Sequence, residues 1–193
     1  SKLFLSEITA VTPPIPGVTV AVLSRDDQLS LDNRSGKTLT IAGYEGEPYL
    51  RFSPSGVSVN VHSPALYLNQ ARFANVALPV IANAKLAPQW SVLTLGRRWS
   101  WHDHRIHWMS TILPPAAQKA PRQQHLIFAW KVPVQVAGGG TSQILGRLTY
   151  IPPKGGTDLG LIVGIALPIG IVLLAGAATG FLVVRRRRAA GTP

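Results

Sequence analysis

The end of the chain constrains the fold more than any other part of the sequence. From Leu159 to Val184 no residue is charged, and an apolar run above about 20 residues can cross the hydrocarbon core of a bilayer as a helix. Because the cytoplasmic flanks of membrane helices are rich in Lys and Arg, four arginines directly after this run predict a cytoplasmic C-terminus. These arginines are Arg185, Arg186, Arg187 and Arg188.

The apolar run divides the chain into four predicted regions. We expect an extracytoplasmic domain over residues 1–151, a short tether over 152–158, a transmembrane helix over 159–184 and a basic cytoplasmic tail over 185–193. The predicted location is the cell membrane, crossed once, with the lipid bilayer as one partner. An extracytoplasmic N-terminus requires export, so we also expect a cleaved signal peptide ahead of Ser1.

Glycine spacing within the predicted span indicates a partner in the membrane. Two pairs of glycines lie four residues apart, and this spacing lets two helices approach closely. The residues are Gly160, Gly164, Gly176 and Gly180. We therefore predict a membrane-protein partner that binds through the span or through the extracytoplasmic domain. The alternative is that these glycines simply face lipid.

Composition excludes several classes of site. The chain has no cysteine, which removes cysteine nucleophiles, thiolate zinc sites and type-1 copper sites. Burial must then hold the domain together, which is feasible at about 150 residues. The formal net charge of the whole chain is +11. Without the four arginines of the predicted tail, 15 basic and eight acidic residues leave a net charge of +7 on the predicted extracytoplasmic side. On an exported protein this charge favours anionic lipid headgroups or cell-surface polymers over nucleic acid, unless it serves solubility alone.

Short segments with strand character, separated by turn residues, precede the predicted span. Thr38–Ile41 and Val57–Val61 alternate apolar and polar residues, which is typical of half-buried strands. Pro64–Phe73 could form a short helix, since a serine precedes its first proline. His125–Val136 and Ser142–Ile151 flank three glycines and predict a terminal hairpin. Together these segments predict a mainly β protein, specifically an Ig-like β-sandwich followed by one transmembrane helix.

The segment Trp99–Trp108 concentrates the residues most suited to chemistry, with three of the chain's five histidines and three of its five tryptophans. As a strand, it would place His102 and His104 on one face and His107 on the other. Two imidazoles at positions i and i+2 can offer two metal ligands from one strand. Outside the membrane, copper or zinc would be the ion of such a site.

The metal interpretation needs further ligands. His107 is the nearest candidate, His62 or His125 could also supply an imidazole, and Met109 could supply a soft ligand for copper. The sequence thus leaves two predictions for the cofactor: none, or alternatively a copper or zinc ion.

A second interpretation of the same segment is structural. Asp103 and Arg105 could form a hydrogen-bonded and cation–π network with the indoles of Trp99, Trp101 and Trp108 at the centre of a sandwich. Acid–base chemistry by the histidines is a third interpretation. The spacing does not separate the three.

Catalytic patterns are scarce. Ser100, His102 and Asp103 are too close in sequence for a catalytic triad, whose members come from separate elements. Glu45 and Glu47 flank Gly46 and predict a turn instead of an acid–base pair. We therefore predict a non-enzymatic accessory or docking subunit of a membrane or envelope assembly, with metal binding as the alternative.

Several strings resemble a group of actinobacterial membrane-anchored surface proteins. They are Gly43–Phe52, Asn60–Asn69, Trp101–Met109 and Trp130–Pro133. The resemblance implies single-pass membrane anchoring and no specific activity. Separately, Phe128–Tyr150 is similar to the last hairpin of small copper-carrier sandwiches, although an N-terminal histidine found in those proteins is missing here.

Overall fold

Antiparallel strands are the main secondary structure of the chain that the computed structural model describes, residues 2–153. In chain order the elements are β1 Phe4–Thr12, β2 Val18–Leu23, β3 Gln28–Asn33, β4 Leu39–Ala42, β5 Pro48–Ser53, β6 Gly56–Asn60, α1 Pro64–Leu68, β7 Trp90–Thr94, β8 Arg98–His102, a 3-10 helix His104–Ile106, α2 Pro115–Lys119, β9 His125–Val136 and β10 Gly140–Tyr150. One sheet has the order β1-β10-β9-β4-β5-β6-β7 and the other has the order β2-β3-β8. The prediction of a mainly β protein is confirmed.

The apolar faces of both sheets contribute to one core. Leu29 and Leu31 come from β3 in the small sheet, and Leu39 and Ile41 come from β4 in the large sheet. All four are almost completely buried. The Trp101 ring on β8 packs 6.0 Å from the Phe52 ring on β5, so it joins the two sheets. This arrangement is consistent with the predicted β-sandwich.

Two local predictions are confirmed in the large sheet. Along β4, buried residues alternate with half-buried ones, as the period of two predicts. β9 and β10 form the predicted hairpin, in which Val136 pairs with Gly140. Gly138 and Gly139 occupy the turn with positive φ angles of 98° and 95°, a conformation that favours glycine.

Strand β6 differs from its predicted half-buried pattern because every residue from Gly56 to Asn60 is buried. The connection between α1 and β7 contributes to this burial, because its last residue, Gln89, bonds Asn60 at the end of β6. The Asn60 carboxamide oxygen accepts hydrogen bonds from the backbone N–H groups of His62 and Gln89, both at 3.0 Å. Alternation alone could not predict this cover, because it comes from a loop distant in sequence.

The predicted strand Trp99–Trp108 is wrong beyond His102. β8 ends there, and the Asp103 carboxylate accepts a hydrogen bond from the backbone N–H of Arg105 at 3.1 Å, which starts the 3-10 helix. An aspartate that bonds its own chain two residues ahead competes with strand pairing.

The predicted helix Pro64–Phe73 is also shorter than expected. α1 ends at Leu68, and the backbone N–H of Asn69 closes its last turn on the carbonyl oxygen of Ala65.

Residues 2–153 contain no helix that is both long and apolar enough to cross a membrane. The predicted span 159–184 lies outside the described residues. So do its four glycines, Gly160, Gly164, Gly176 and Gly180, and the four arginines Arg185, Arg186, Arg187 and Arg188. The predictions made on these residues stay predictions.

Candidate metal centre

Three imidazoles converge at the end of β8. His102 is the last residue of this strand, His104 opens the 3-10 helix, and His107 follows it. One ring nitrogen of each lies within 4.8 Å of those of the other two. His107 is fully buried, whereas His102 and His104 are half-buried. We refer to these three residues as the histidine cluster.

The 3-10 helix is what brings the three rings together. A continuous strand would put His107 on the face opposite His102. Instead, the turn that Asp103 starts brings their Nε2 atoms to 3.0 Å from each other. The predicted division of the histidines between two faces is therefore wrong, and the reason is the local hydrogen bond of Asp103.

Hydrogen bonds outside the cluster fix the tautomers of two rings. His104 Nε2 lies 2.9 Å from the carbonyl oxygen of Ala71, and His107 Nδ1 lies 3.0 Å from the carbonyl oxygen of Trp108. Because a carbonyl oxygen only accepts, both ring nitrogens must carry the hydrogen. A neutral His104 then has its lone pair on Nδ1, and a neutral His107 has its lone pair on Nε2.

The third ring has a carboxylate beside it. His102 Nδ1 lies 3.2 Å from Asp27 Oδ1, which favours a hydrogen on Nδ1. Its Nε2 is hydrogen-bonded at 3.0 Å to Nε2 of His107, and a metal would replace the hydrogen that these two nitrogens share. Metal-bound histidines usually direct their second nitrogen at a carbonyl or a carboxylate, which orients the ring and raises its basicity. All three rings of the histidine cluster have such a neighbour.

Burial favours the neutral form of His104 and His107. It lowers the pKa of His107 to about 4, despite the hydrogen bond to Trp108. Burial likewise lowers the pKa of His104 below its ordinary value, despite the hydrogen bond to Ala71. These two imidazoles are therefore uncharged at pH 7 and can bind a metal without first releasing a proton.

The charges around the cluster favour a cation. Arg72 lies 2.8 Å from both Asp26 and Asp27, and Arg105 lies 2.7 Å from Asp103. Three carboxylates and two guanidinium groups leave one negative charge among these five side chains. A bound cation would offset it.

Asp103 and Arg105 form a closed network next to the cluster. Arg105 donates from Nε and Nη2 to the two carboxylate oxygens of Asp103, at 2.8 and 2.7 Å, and from Nη1 to the carbonyl oxygen of Ala42 at 3.0 Å. The Trp101 indole donates to Asp103 at 2.9 Å. Burial opposes the charge of Asp103, but Arg105 and these hydrogen bonds outweigh it and hold the pKa of Asp103 below its ordinary value.

Tyr44 connects this network to the cluster. Its hydroxyl accepts a hydrogen bond from the backbone N–H of His104 at 2.9 Å and donates to the side chain of Asn69. Its ring stacks on the His104 ring at 5.6 Å, and the Arg105 guanidinium lies 5.2 Å from it. The cation–π partner of Arg105 is therefore a tyrosine, whereas the sequence predicts an indole.

The predicted tryptophans occupy different environments. Trp101 is only 4% exposed, whereas Trp99 and Trp108 are half-buried. The Trp108 indole donates to the carbonyl oxygen of Ile112 at 2.6 Å.

The other two histidines lie outside the cluster. His62 contacts the carbonyl oxygen of Ala87 at 2.6 Å, and His125 contacts that of Ala120 at 2.8 Å. The structure therefore does not bring either of them to the cluster as the additional ligand that the sequence suggested.

A cavity of about 370 Å³ borders the cluster. Two of the cluster's histidines line it together with Met109 and aromatic side chains. The lining residues are His104, Arg105, His107, Trp108, Met109, Ser110 and Phe128.

Three residues near the cluster do not stand out in the sequence as parts of a site. They are Asp27, Ala71 and Arg72. Asp27 belongs to an Asp-Asp pair that is typical of a turn. Its position follows only from the pairing of β3 with β8, which sets Gln28 opposite His102 and so brings Asp27 beside that ring. Long-range pairing of this kind leaves no local signal in the sequence.

The rings would have to move to complete a metal site. In a tetrahedral site with zinc–nitrogen bonds of about 2.0–2.1 Å, two ligand nitrogens lie about 3.4 Å apart. The separations of up to 4.8 Å within the cluster would therefore shorten, and the 3.0 Å between Nε2 of His102 and Nε2 of His107 would lengthen slightly.

Comparisons with protein-family models, with curated proteins and with solved structures found no match to this chain. The resemblance to actinobacterial surface proteins therefore stays a prediction.

Proposed function

We propose that this chain is an extracytoplasmic protein that binds one copper or zinc ion through His102, His104 and His107. The observation that carries the proposal is the pairing of each ring with an outer acceptor, while one ring nitrogen of each histidine lies within 4.8 Å of those of the other two. Three imidazoles leave a fourth coordination position open for water or another ligand. We infer metal holding or delivery as the role, with no catalysis.

The proposed setting rests on the sequence. The uncharged residues 159–184 and the arginines after them favour a single C-terminal transmembrane helix. The two antiparallel sheets are compatible with an Ig-like sandwich on the outer side of the membrane. There, copper and zinc are the relevant ions for nitrogen ligands.

Metal analysis of the full chain tests the proposal. The protein is purified in mild detergent, stripped with a chelator, reloaded with Zn(II) or Cu(II), and measured for bound metal and thermal stability. We expect one tightly bound ion per chain and a higher melting temperature. The variant His102→Ala/His104→Ala should lose both.

The matched control is His62→Ala/His125→Ala, which also removes two imidazoles but leaves the cluster intact. It should bind metal as the native chain does. The proposal fails if the native chain neither retains nor is stabilised by either metal. It fails equally if the control variant loses as much metal as the cluster variant.

A docking role is the second candidate, and one surface favours it. The connection between α1 and β7 exposes several apolar side chains, including Val80, which is 100% exposed, and Leu78, which is 45% exposed. Exposed apolar surface of this kind often contacts a partner. A stable stoichiometric complex after purification in mild detergent would support an accessory subunit, and a monodisperse monomer would contradict it.

A further inference from the structure

Met109 is the one methionine of the chain. It lies two residues after His107 and lines the same cavity as His104 and His107. Its side chain is 40% exposed, so the core does not require it. A thioether in the same cavity as two of the three imidazoles is a potential metal ligand.

The chemistry of this cavity favours a soft ion of low charge. Thioethers prefer Cu(I) to Zn(II) or Cu(II), and the neighbouring lining residues Trp108 and Phe128 are aromatic. Apolar surroundings penalise a doubly charged ion more than a singly charged one.

The surrounding charges agree with this preference. The carboxylates of Asp26, Asp27 and Asp103 exceed the guanidinium groups of Arg72 and Arg105 by one charge. A Cu(I) ion bound by neutral ligands would cancel that charge, whereas Zn(II) would leave one positive charge in excess.

We propose that the Met109 thioether is the fourth ligand of the metal and that the site therefore selects Cu(I) over Zn(II). This inference rests on the proposed three-histidine site, and it adds a ligand and a metal preference. The cavity gives the Met109 side chain the space in which to turn towards the histidine cluster.

X-ray absorption at the selenium edge tests the ligand directly. Selenomethionine in place of the single methionine puts one selenium atom in the chain, so any copper neighbour of selenium identifies Met109. The full chain is loaded anaerobically with one equivalent of Cu(I) in mild detergent. We expect a copper neighbour within bonding distance of selenium. A stoichiometric Cu(I) complex in which selenium has no copper neighbour would overturn the inference.

Competition titrations test the metal preference. Met109→Leu keeps the volume and apolar character of the side chain and removes only the sulfur. Against a chromophoric Cu(I) chelator, we expect this variant to bind Cu(I) at least about tenfold more weakly than the native chain. Its Zn(II) affinity should stay within about twofold of the native value, because the three histidines remain.

The outcomes separate the two proposals. Unchanged Cu(I) affinity in Met109→Leu, or an equal loss of Cu(I) and Zn(II) affinity, contradicts the role of Met109 while the three-histidine site stands. His104→Ala should weaken both metals. If the native chain binds neither Cu(I) nor Zn(II), the three-histidine site itself is contradicted.

Discussion

Two sets of polar side chains share residues 101–107 and differ in how their hydrogen-bonding groups are used. Asp103 and Arg105 bind each other through two hydrogen bonds and direct further ones to Trp101 and Ala42. The histidine cluster is held on its outer side by Asp27, Ala71 and Trp108, and on its inner side one hydrogen bond joins His102 to His107. The first set is a closed buried ion pair, whereas the second could exchange its inner hydrogen bond for a metal.

Because of this difference, we expect the Asp103–Arg105 pair to contribute to stability and the histidine cluster to contribute to metal binding. Removing one member of the Asp103–Arg105 pair leaves a buried charge without its partner, and such a change is costly. Removing a neutral imidazole leaves no such charge. We therefore expect substitutions in the pair to act on the free energy of unfolding and substitutions in the cluster to act on metal affinity.

The substitution Arg105→Ala is expected to have the largest effect on the free energy of unfolding. Because Asp103 is fully buried, loss of its guanidinium partner should lower the free energy of unfolding by about 3–5 kcal/mol. Urea denaturation measures the change. Arg147→Ala is the control, since Arg147 and its partner Glu7 are 54% and 43% exposed and such pairs contribute less than about 1 kcal/mol. Equal losses in the two variants would show that Asp103–Arg105 is not a closed buried pair.

Trp101 and Trp108 differ in burial, so their substitutions are expected to differ in their effect on stability. Trp101→Ala should lower the free energy of unfolding by about 3–5 kcal/mol, because it removes a buried indole between the sheets. Trp108→Ala should cost about 1 kcal/mol, an ordinary value for a half-buried residue. Thermal denaturation of both variants distinguishes them. A larger loss for Trp108 would mean that it belongs to the core.

Local patterns predicted much of the fold. The alternation of Leu39 and Ile41 in β4 and the glycines of the last hairpin are signals within a few residues, and both predictions were confirmed. The strand through Trp108 was wrong, because the single hydrogen bond of Asp103 outweighs strand propensity there.

The site was less accessible to prediction from the sequence. The residue types of the histidine cluster stand out because three histidines lie close together. Their convergence depends on the 3-10 helix, and their outer acceptors, Asp27 and the carbonyl oxygen of Ala71, come from distant segments. These contacts exist only once β3 pairs with β8 and the connection after α1 folds over them.

Asp27→Asn tests whether the acceptor beside His102 contributes to metal affinity. The change removes the charged acceptor beside His102 Nδ1 and should lower metal affinity about 10–100-fold, as is usual for such partners of metal-bound histidines. Asp32→Asn is the matched control, because Asp32 pairs with Arg34 and Arg98 away from the cluster. Titration with Zn(II) measures both variants. An equal effect in the control would contradict a specific role for Asp27.

An effect of pH is also expected on the metal-free protein. Burial lowers the pKa of His107 from 6.5 to about 4, so between these values the unfolded chain binds more protons than the folded one. The free energy of unfolding should then fall as the pH is lowered from about 6.5 to 4. Denaturation across this range measures the slope. His107→Gln should flatten it, and an unchanged slope in that variant would assign the effect to other groups.

The tautomers of the histidine cluster provide the most direct test, and nitrogen NMR of the imidazole rings measures them. In the Zn(II)-loaded chain we expect metal on Nε2 of His102 and His107 and on Nδ1 of His104, with hydrogen on the opposite nitrogen of each ring. The spectra of His62 and His125 should not change on loading. Zinc on a different set of nitrogens, or cluster spectra that do not change with zinc, would contradict a shared three-histidine site.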